Sequence, residues 1–496
     1  MSKVEKVFDE VFTARNFRTS PLTISGLQGD TYDYELVVYR ANAATPGGGN
    51  SDLGVVFNSD TTANYRRYFM RGIVASASAS ASDVNNEIVL QFSGSDGSFT
   101  GLIMAKIEGY SGDERYVSSL HTGYASASVV TKTAGYWKNT VDEISSLTLT
   151  ASNGASVTED AHVILYRTPK AASQAKWELM ETKTLTAQNL LSTPLDFTGL
   201  DGDTATQYRL AFDLPTSGRN LGMTFNNDTS TSNYITQSLR NSGGTVSALN
   251  YTTAGYLSLD VFGVHTTFNS DIIINAESGA ERLAEISTGT IAGFQNAETA
   301  GWWSNTVDSV SSIQVKCSSA TAQTGTVKLY RRVNPTTTGD TLNFEVVEVV
   351  DISGDFSAGH TFSGLTGDST TLYKVEFLGS CASGSVGLRG DINSDLTSNY
   401  PNQYFQGTSS TTVAGSNTLS FLNFGNVTVG QTRQVMYIYP KSGASRPMLT
   451  EWAEGENLVR FQSMWWGNTV DEVADIEIHG TSTTVITGTL KLSRLI

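Results

Sequence analysis

The chain has 496 residues, a formal net charge of −16 and only 16% charged residues, against about 25% in an average globular protein. That balance disfavours a non-specific nucleic-acid surface or binding to an anionic membrane, and no apolar run approaches the roughly 20 residues needed to span a bilayer. Met1 to Asn16 is mixed in charge and has no apolar central segment, so no secretory signal is expected and synthesis is expected in a cytosol.

Plentiful Ser, Thr, Asn and Gly with frequent Tyr, Phe and Val predict a β-rich protein. A prior of about 150 residues per domain suggests three domains. Cys317 and Cys381 have no counterparts elsewhere, so neither a disulfide framework nor a zinc cluster is predicted; both are expected to be small buried residues.

Taken in order, the chain writes one pattern three times. Each copy opens with a Gly-Leu-x-Gly-Asp turn, at Gly26–Asp30, Gly199–Asp203 and Gly364–Asp368, where Gly supplies positive φ and Asp bonds local backbone. A strand follows, beginning at Tyr34, Tyr208 and Tyr373, with alternation that predicts a sheet with one wet face. Next comes a polar loop ending in Asn-Tyr: Asn58 to Tyr65, Asn226 to Tyr234 and Asn393 to Tyr400. Asp391-Ile-Asn393-Ser-Asp395 opens like a calcium loop, but Leu396 replaces its glycine and Asn402 its closing glutamate, so a side-chain-capped turn is expected and no metal. The alternating Ala-Ser run from Ala75 to Ser82 occurs in the first copy alone and is expected to be an exposed loop or edge ribbon. A Gly-x-x-Arg corner then recurs at Arg115, Arg282 and Arg446; its planar fork is expected to pin turn carbonyls or a carboxylate such as Asp142, Asp308 or Asp471.

The most specific repeat follows: Gly135-Tyr136-Trp137-Lys-Asn139-Thr140-Val-Asp142, Gly301-Trp302-Trp303-Ser-Asn305-Thr306-Val-Asp308, and Trp465-Trp466-Gly-Asn468-Thr469-Val-Asp471. From 137 to 303 and from 303 to 466 the Trp spacings are 166 and 163 residues. Adjacent strand residues face opposite ways, so Trp137, Trp303 and Trp466 are expected inside. Tyr136, Trp302 and Trp465 then point outward, either exposed to stack on a sugar or buried against a neighbouring domain or subunit. The Asn-Thr-Val-Asp string reads as a turn closed by its own side chains. Each copy ends in a strand, with Leu-Tyr-Arg at Tyr166 and Tyr330 but Ser493 in the third.

Short strands, frequent turns and little helical periodicity predict an all-β protein of three tandem antiparallel β-sandwich or jelly-roll-like domains, at 1–167, 177–332 and 343–496, joined by linkers at 168–176 and 333–342. A period near 165 is far above that of stacked solenoid repeats. No metalloprotease, hydrolase-elbow or phosphate-loop motif is present. The five histidines are unrepeated, and the Asp142-Glu143 pair becomes Asp308-Ser309 in the second copy, which weakens a paired-carboxylate mechanism. Neither a cofactor nor a catalytic residue is predicted.

The string Trp-x-Asn-Thr-x-Asp followed by a closing Leu-Tyr strand resembles a module of tailed-bacteriophage structural proteins. The match covers Trp137 to Tyr166 and Trp303 to Tyr330, and less well Trp466 to Leu492. The resemblance implies a virion protein, of capsid or tail, made in the host cytoplasm and partnered by other virion proteins. A homotrimer or an internal pseudo-trimer is expected, with host-glycan binding as the alternative role.

Overall fold

A computed structural model describes residues 5–42, 52–73, 76–91, 99–108, 115–124, 128–152, 158–169, 177–205, 207–216, 221–242, 245–251, 255–259, 268–276, 282–290, 295–318, 320–332, 344–397, 400–408, 411–429, 432–442, 446–454 and 458–495. Among the described residues, twelve strands build the first repeat: β1 (Glu5–Arg15), β2 (Leu22–Ser25), β3 (Tyr32–Asn42), β4 (Asp52–Phe57), β5 (Tyr65–Ile73), β6 (Ser76–Asn85), β7 (Ile88–Gln91), β8 (Phe99–Glu108), β9 (Arg115–Tyr124), β10 (Ser128–Trp137), β11 (Ser146–Ser152) and β12 (Glu159–Pro169). They form an eight-stranded sheet, β1-β12-β3-β8-β9-β10-β5-β6, and a four-stranded sheet, β2-β11-β4-β7. The second repeat, β13 (Trp177–Asn189) to β24 (Ala322–Arg332), and the third, β25 (Glu345–Asp355) to β36 (Val485–Leu495), have the same two orders. Of the linkers expected at 168–176 and 333–342, Thr168 and Pro169 instead end β12, and residues 170–176 and 333–342 lie outside the described residues.

Without the β5-β6 and β9-β10 hairpins, the remaining eight strands pair antiparallel, first with last, second with seventh, third with sixth and fourth with fifth. That is a long hairpin rolled into two Greek keys, a jelly roll. The two inserted hairpins double the width of one sheet. Each sandwich encloses its own apolar core, with Trp137, Trp303 and Trp466 in the respective clusters.

The second face of the wide sheets is not uniformly wet, as the alternation alone would suggest. Along β3, Leu36 and Val38 enter the sandwich while Val37 and Tyr39 enter a separate cluster shared by all three repeats. The hairpins make that junction. β10 lies against β29 (Tyr400–Thr408) of the third repeat, and β34 (Leu458–Trp466) of the third lies against β17 (Tyr234–Ser242) of the second. β22 (Gln295–Trp303) of the second then lies against β5 of the first. The same two hairpin strands meet each time, so the contact runs head to tail and closes after three steps. At the centre β6, β18 (Thr245–Tyr251) and β30 (Thr411–Leu419) touch one another. The Ala-Ser run therefore forms the outermost strand of its sheet, as an edge ribbon would, but other repeats cover that edge.

The ring is not evenly packed. Repeats one and three also press their sheets together, with Tyr39 stacked on Tyr439 at 4.5 Å and 3°. His162 bridges Tyr439 Oη at 3.1 Å and Asp9 Oδ1 at 2.7 Å. The second repeat joins through hairpin residues such as Ile235, Leu239 and Trp302, and its β15 (Gln207–Thr216) keeps a half-exposed outer face. At the rim, β1, β13 and β25 each carry a bulge near their start, at Lys6/Phe8, Leu179/Glu181 and Val346/Glu348. Bulges and charge together discourage a foreign strand from pairing there.

Removing the stacked ring tests the seam. Tyr439→Ala is expected to destabilise the chain by about 3 kcal/mol, seen in urea denaturation as repeats one and three losing their shared transition. An unchanged profile would show that the seam contributes nothing.

Candidate functional site

The repeated Trp turn is the most specific of the patterns common to all three copies, and the structure explains most of it. In the first repeat Trp137 ends β10 with its ring inside the sandwich, and its indole N–H donates to Asp60 Oδ2 at 2.8 Å. Trp303 and Trp466 donate to Asp228 and Asp395 at the same 2.8 Å. The guanidinium of Arg115 lies 5.5 Å from the Trp137 ring centroid, and Arg282 and Arg446 repeat this at 5.3 and 4.6 Å. Each fork donates to two main-chain carbonyls of the turn: Asn139 and Asp142, Asn305 and Asp308, Asn468 and Asp471. The Arg partners are thus carbonyls, and the Asp carboxylates serve another purpose.

That purpose is local. Asn139 Oδ1 accepts from the backbone N–H of Val141 at 2.9 Å and of Asp142 at 3.0 Å, while its Nδ2 donates to Asp142 Oδ2 at 2.8 Å. Asn305 with Asp308, and Asn468 with Asp471, make the same three bonds. Thr140, Thr306 and Thr469 are exposed beside them. Val141, Val307 and Val470 stand at the tips, 81%, 82% and 81% exposed. Nothing in the fold accounts for the retained Thr and Val.

The outward aromatics do not form an exposed set. Trp302 is 1% and Trp465 2% exposed, so neither is the exposed aromatic it was a candidate to be, and the alternative of burial holds for both. Trp302 lies in the cluster shared by the repeats, so the sheet face that would have met solvent meets other domains. Tyr136 is half-buried, 5.2 Å from the Tyr116 ring.

Several residues that build the corner were read only as loop. Asn58 Oδ1 accepts from the backbone of Ser145 and Ser146 at 2.8 and 3.1 Å, and its Nδ2 donates to Glu143 O at 2.7 Å. Asn226 and Asn393 do the same. Tyr65, Tyr234 and Tyr400 accept from the backbone N–H of Phe57, Phe225 and Ile392 at 2.9, 2.9 and 3.0 Å. The signal was present in the sequence: from Asp60 to Asp228 and on to Asp395 the spacings are 168 and 167, in step with the Trp residues. Asn399 of the third loop lies outside the described residues. The Gly-Leu-x-Gly turn supports the same corner. Gly26 has φ +75°, and a side chain on Gly29 would collide with Ile144, 2.7 Å from its Cβ position.

Burial pushes the Asp60 carboxyl up, but hydrogen bonds from Thr62, Trp137 and Asn64 outweigh it and hold the pKa down at about 2. Asp228 is lowered likewise, burial being overcome by Asn233, Trp303 and Ser230. Cys317 and Cys381 are buried and unbridged. Among the described residues, no group of three His, Cys, Asp or Glu side chains is placed to hold a metal ion, and no helix is long and apolar enough to cross a membrane.

No protein-family model matches the chain, and no curated protein sequence matches it. Among solved structures it is similar to the LG1-3 region of the laminin alpha2 chain, at 9% identity and a TM-score of 0.17 over 96% of both chains. It is similar to domains LG4-5 of the mouse laminin alpha1 chain at 9% identity and a TM-score of 0.17, over 64% of this chain and 91% of that one. An exo-inulinase from Aspergillus awamori follows at 7% identity and a TM-score of 0.21, over 92% and 98%. Superpositions this loose carry no argument about ligand or activity.

The low carboxyl values give a pH test. A folded-state pKa of about 2 lies below the ordinary carboxylate value of 3.8, so the ionised Asp60 stabilises the fold above that pH. The contribution is lost as pH falls through the window between these values. The double variant Asp60→Asn, Asp228→Asn keeps an acceptor for each indole but cannot titrate; its melting temperature should fall less steeply across that window. An unaltered slope would refute the assignment. Arg282→Lys, which cannot span both turn carbonyls, is expected to cost about 1–3 kcal/mol in denaturant unfolding, and an unchanged midpoint would show that the fork is dispensable.

Proposed function

We propose that this chain is a non-enzymatic structural protein of a tailed-phage virion, a capsid decoration or tail component, acting as an internal pseudo-trimer. One observation carries the reading: three jelly rolls in one chain close head to tail around β6, β18 and β30. Such a ring supplies to a three-fold position what three separate chains would otherwise supply. The Trp-x-Asn-Thr-x-Asp resemblance supports the virion assignment. The jelly roll is also used by viral capsid domains, a fold-level analogy of limited weight because the same fold serves lectins.

The partners in this reading are other capsid or tail proteins, met after synthesis in the host cytoplasm. The residues invested in the repeated corner bond one another and the backbone, which suits stiffness. Trp302 and Trp465 are buried, so recognition of a host glycan through those rings is not part of the proposal.

Two measurements test it. Light scattering of the purified chain should give a monomer near 53.2 kDa; a stable trimer would overturn the pseudo-trimer. A cryo-electron-microscopy map of the intact particle should then show one chain per three-fold position, on the shell or the tail. Absence from the particle would remove the virion reading.

A further inference from the structure

In each repeat the turn after the tryptophan carries the same exposed dipeptide at its tip: Thr140-Val141, Thr306-Val307 and Thr469-Val470. Folding does not ask for it. The turn is closed by the side chains of the flanking Asn and Asp and, from the valine, by the backbone N–H alone. Any residue except proline would supply that group. The valine side chains stand in solvent, where an apolar group contributes nothing. Neighbouring positions of the same turn have drifted: Lys138, Ser304 and Gly467 precede the Asn, and Glu143, Ser309 and Glu472 follow the Asp. Divergence at those sites against identity at the tips implies a requirement from outside the chain.

The tips also share a charged setting. The Gly-Leu-x-Gly-Asp turn packs against the Trp turn in every repeat, the backbone N–H of Gly29, Gly202 and Gly367 donating to the carbonyls of Ile144, Val310 and Val473 at 2.9, 3.1 and 3.2 Å. That brings Asp30, Asp203 and Asp368 to the corner that holds Asp142, Asp308 and Asp471, beside the loop aspartates bound to the indoles. In the second repeat three aspartates thus stand with one guanidinium, that of Arg282, which is buried. The first and third repeats add one acid and one base each, Glu143 with Lys138 and Glu472 with Lys441, so the balance stays acidic. An apolar tip in an acidic frame is complementary to an apolar socket edged by Lys or Arg. Because the repeats close head to tail after three steps, one rotation relates the three tips and sets them at one level of the ring.

We propose that the three Thr-Val tips are one docking surface for a homotrimeric protein, each subunit of which takes one valine into a small apolar socket with a basic rim. The inference rests on the virion reading for the place of that partner, another protein of the particle. A single tip is too small for a stable interface. Three tips at fixed spacing act together, because once one is seated the others meet their sockets at high effective concentration. Identical partner subunits demand identical tips, which is what the three repeats retain.

The test counts this chain, by quantitative mass spectrometry, in particles assembled in cells that supply either the parent chain or the triple variant Val141→Asp, Val307→Asp, Val470→Asp. The parent should be present and the triple variant reduced ~10-fold or more, since three apolar contacts are lost and a like charge enters each socket. The three single variants should each lose a similar share. The tips lie outside the core, so the purified triple variant should melt with the parent. Should it melt lower, Val141→Ala, Val307→Ala, Val470→Ala takes its place, with a smaller loss expected. A folded triple variant at the parent's copy number would overturn the docking surface and leave the virion reading standing. Loss confined to one single variant would overturn the three-fold partner. Absence of the parent chain from the particle would remove the virion reading and this inference with it.

Discussion

The bond from a buried indole N–H to a loop carboxylate, Trp137 to Asp60 and its two counterparts, is the constraint on which the rest depends. Trp137 closes β10, and Asp60 belongs to the loop that launches β5, the strand paired with β10. Their bond fixes where the inserted hairpins leave the jelly roll. Arg115 then reaches from the start of β9 to the turn carbonyls. A buried indole without its acceptor, or a turn without its donor fork, would each leave unmet polar groups, so ring, carboxylate and guanidinium hold only together. This explains why they recur in register while the strands around them have drifted.

Fixing the hairpins has a consequence at longer range. Doubling the width of one sheet extends an apolar outer face, in the first repeat from Val37, Tyr39, Leu102 and Ile164 on the jelly-roll strands to Met70, Leu120 and Val130 on the hairpins. Three such faces in one chain cover one another. The closure is cyclic through the hairpins, and repeats one and three add a direct contact of their sheets, where tyrosines stack and His162 is buried. Burial lowers the His162 pKa, Asp9 opposing it.

Much of this was legible in the sequence, and the omissions have physical causes. The all-β class, the three copies and the closed Asn-Thr-Val-Asp turn follow from spacing and local chemistry, whereas the Arg fork was legible only as a choice between turn carbonyls and a carboxylate, because its partners stand 22 to 27 residues away. The fate of Trp302 and Trp465 does not follow. Alternation tells that a ring leaves its own core, but whether it meets water depends on where another domain sits. The Asp60 role was hidden for a related reason, since its partner is 77 residues distant and the loop alone is satisfied as a turn. Two inserted hairpins per sandwich are likewise invisible to periodicity, which reports strands and not their order.

A single chain differs from a homotrimer in one respect that the inner faces display. Three identical subunits must repeat every side chain, whereas three fused repeats can diverge where the ring does not forbid it. In the first repeat Arg40 and Glu159 form a fully buried ion pair; a buried pair of this kind adds little net stability over apolar packing. At the matching places stand Leu214 and Gln323, then Gly379 and Ile486, all on the same strands. The buried amides of Gln434 and Gln462 are the third repeat's own departure. These departures lie in the sandwich interiors, while the Trp, Asn, Asp and Arg residues of the corner that sets the hairpins are the same in all three. Fusion thus separates two requirements that an oligomer must meet with one sequence: a symmetric frame, and a polar interior that occurs once.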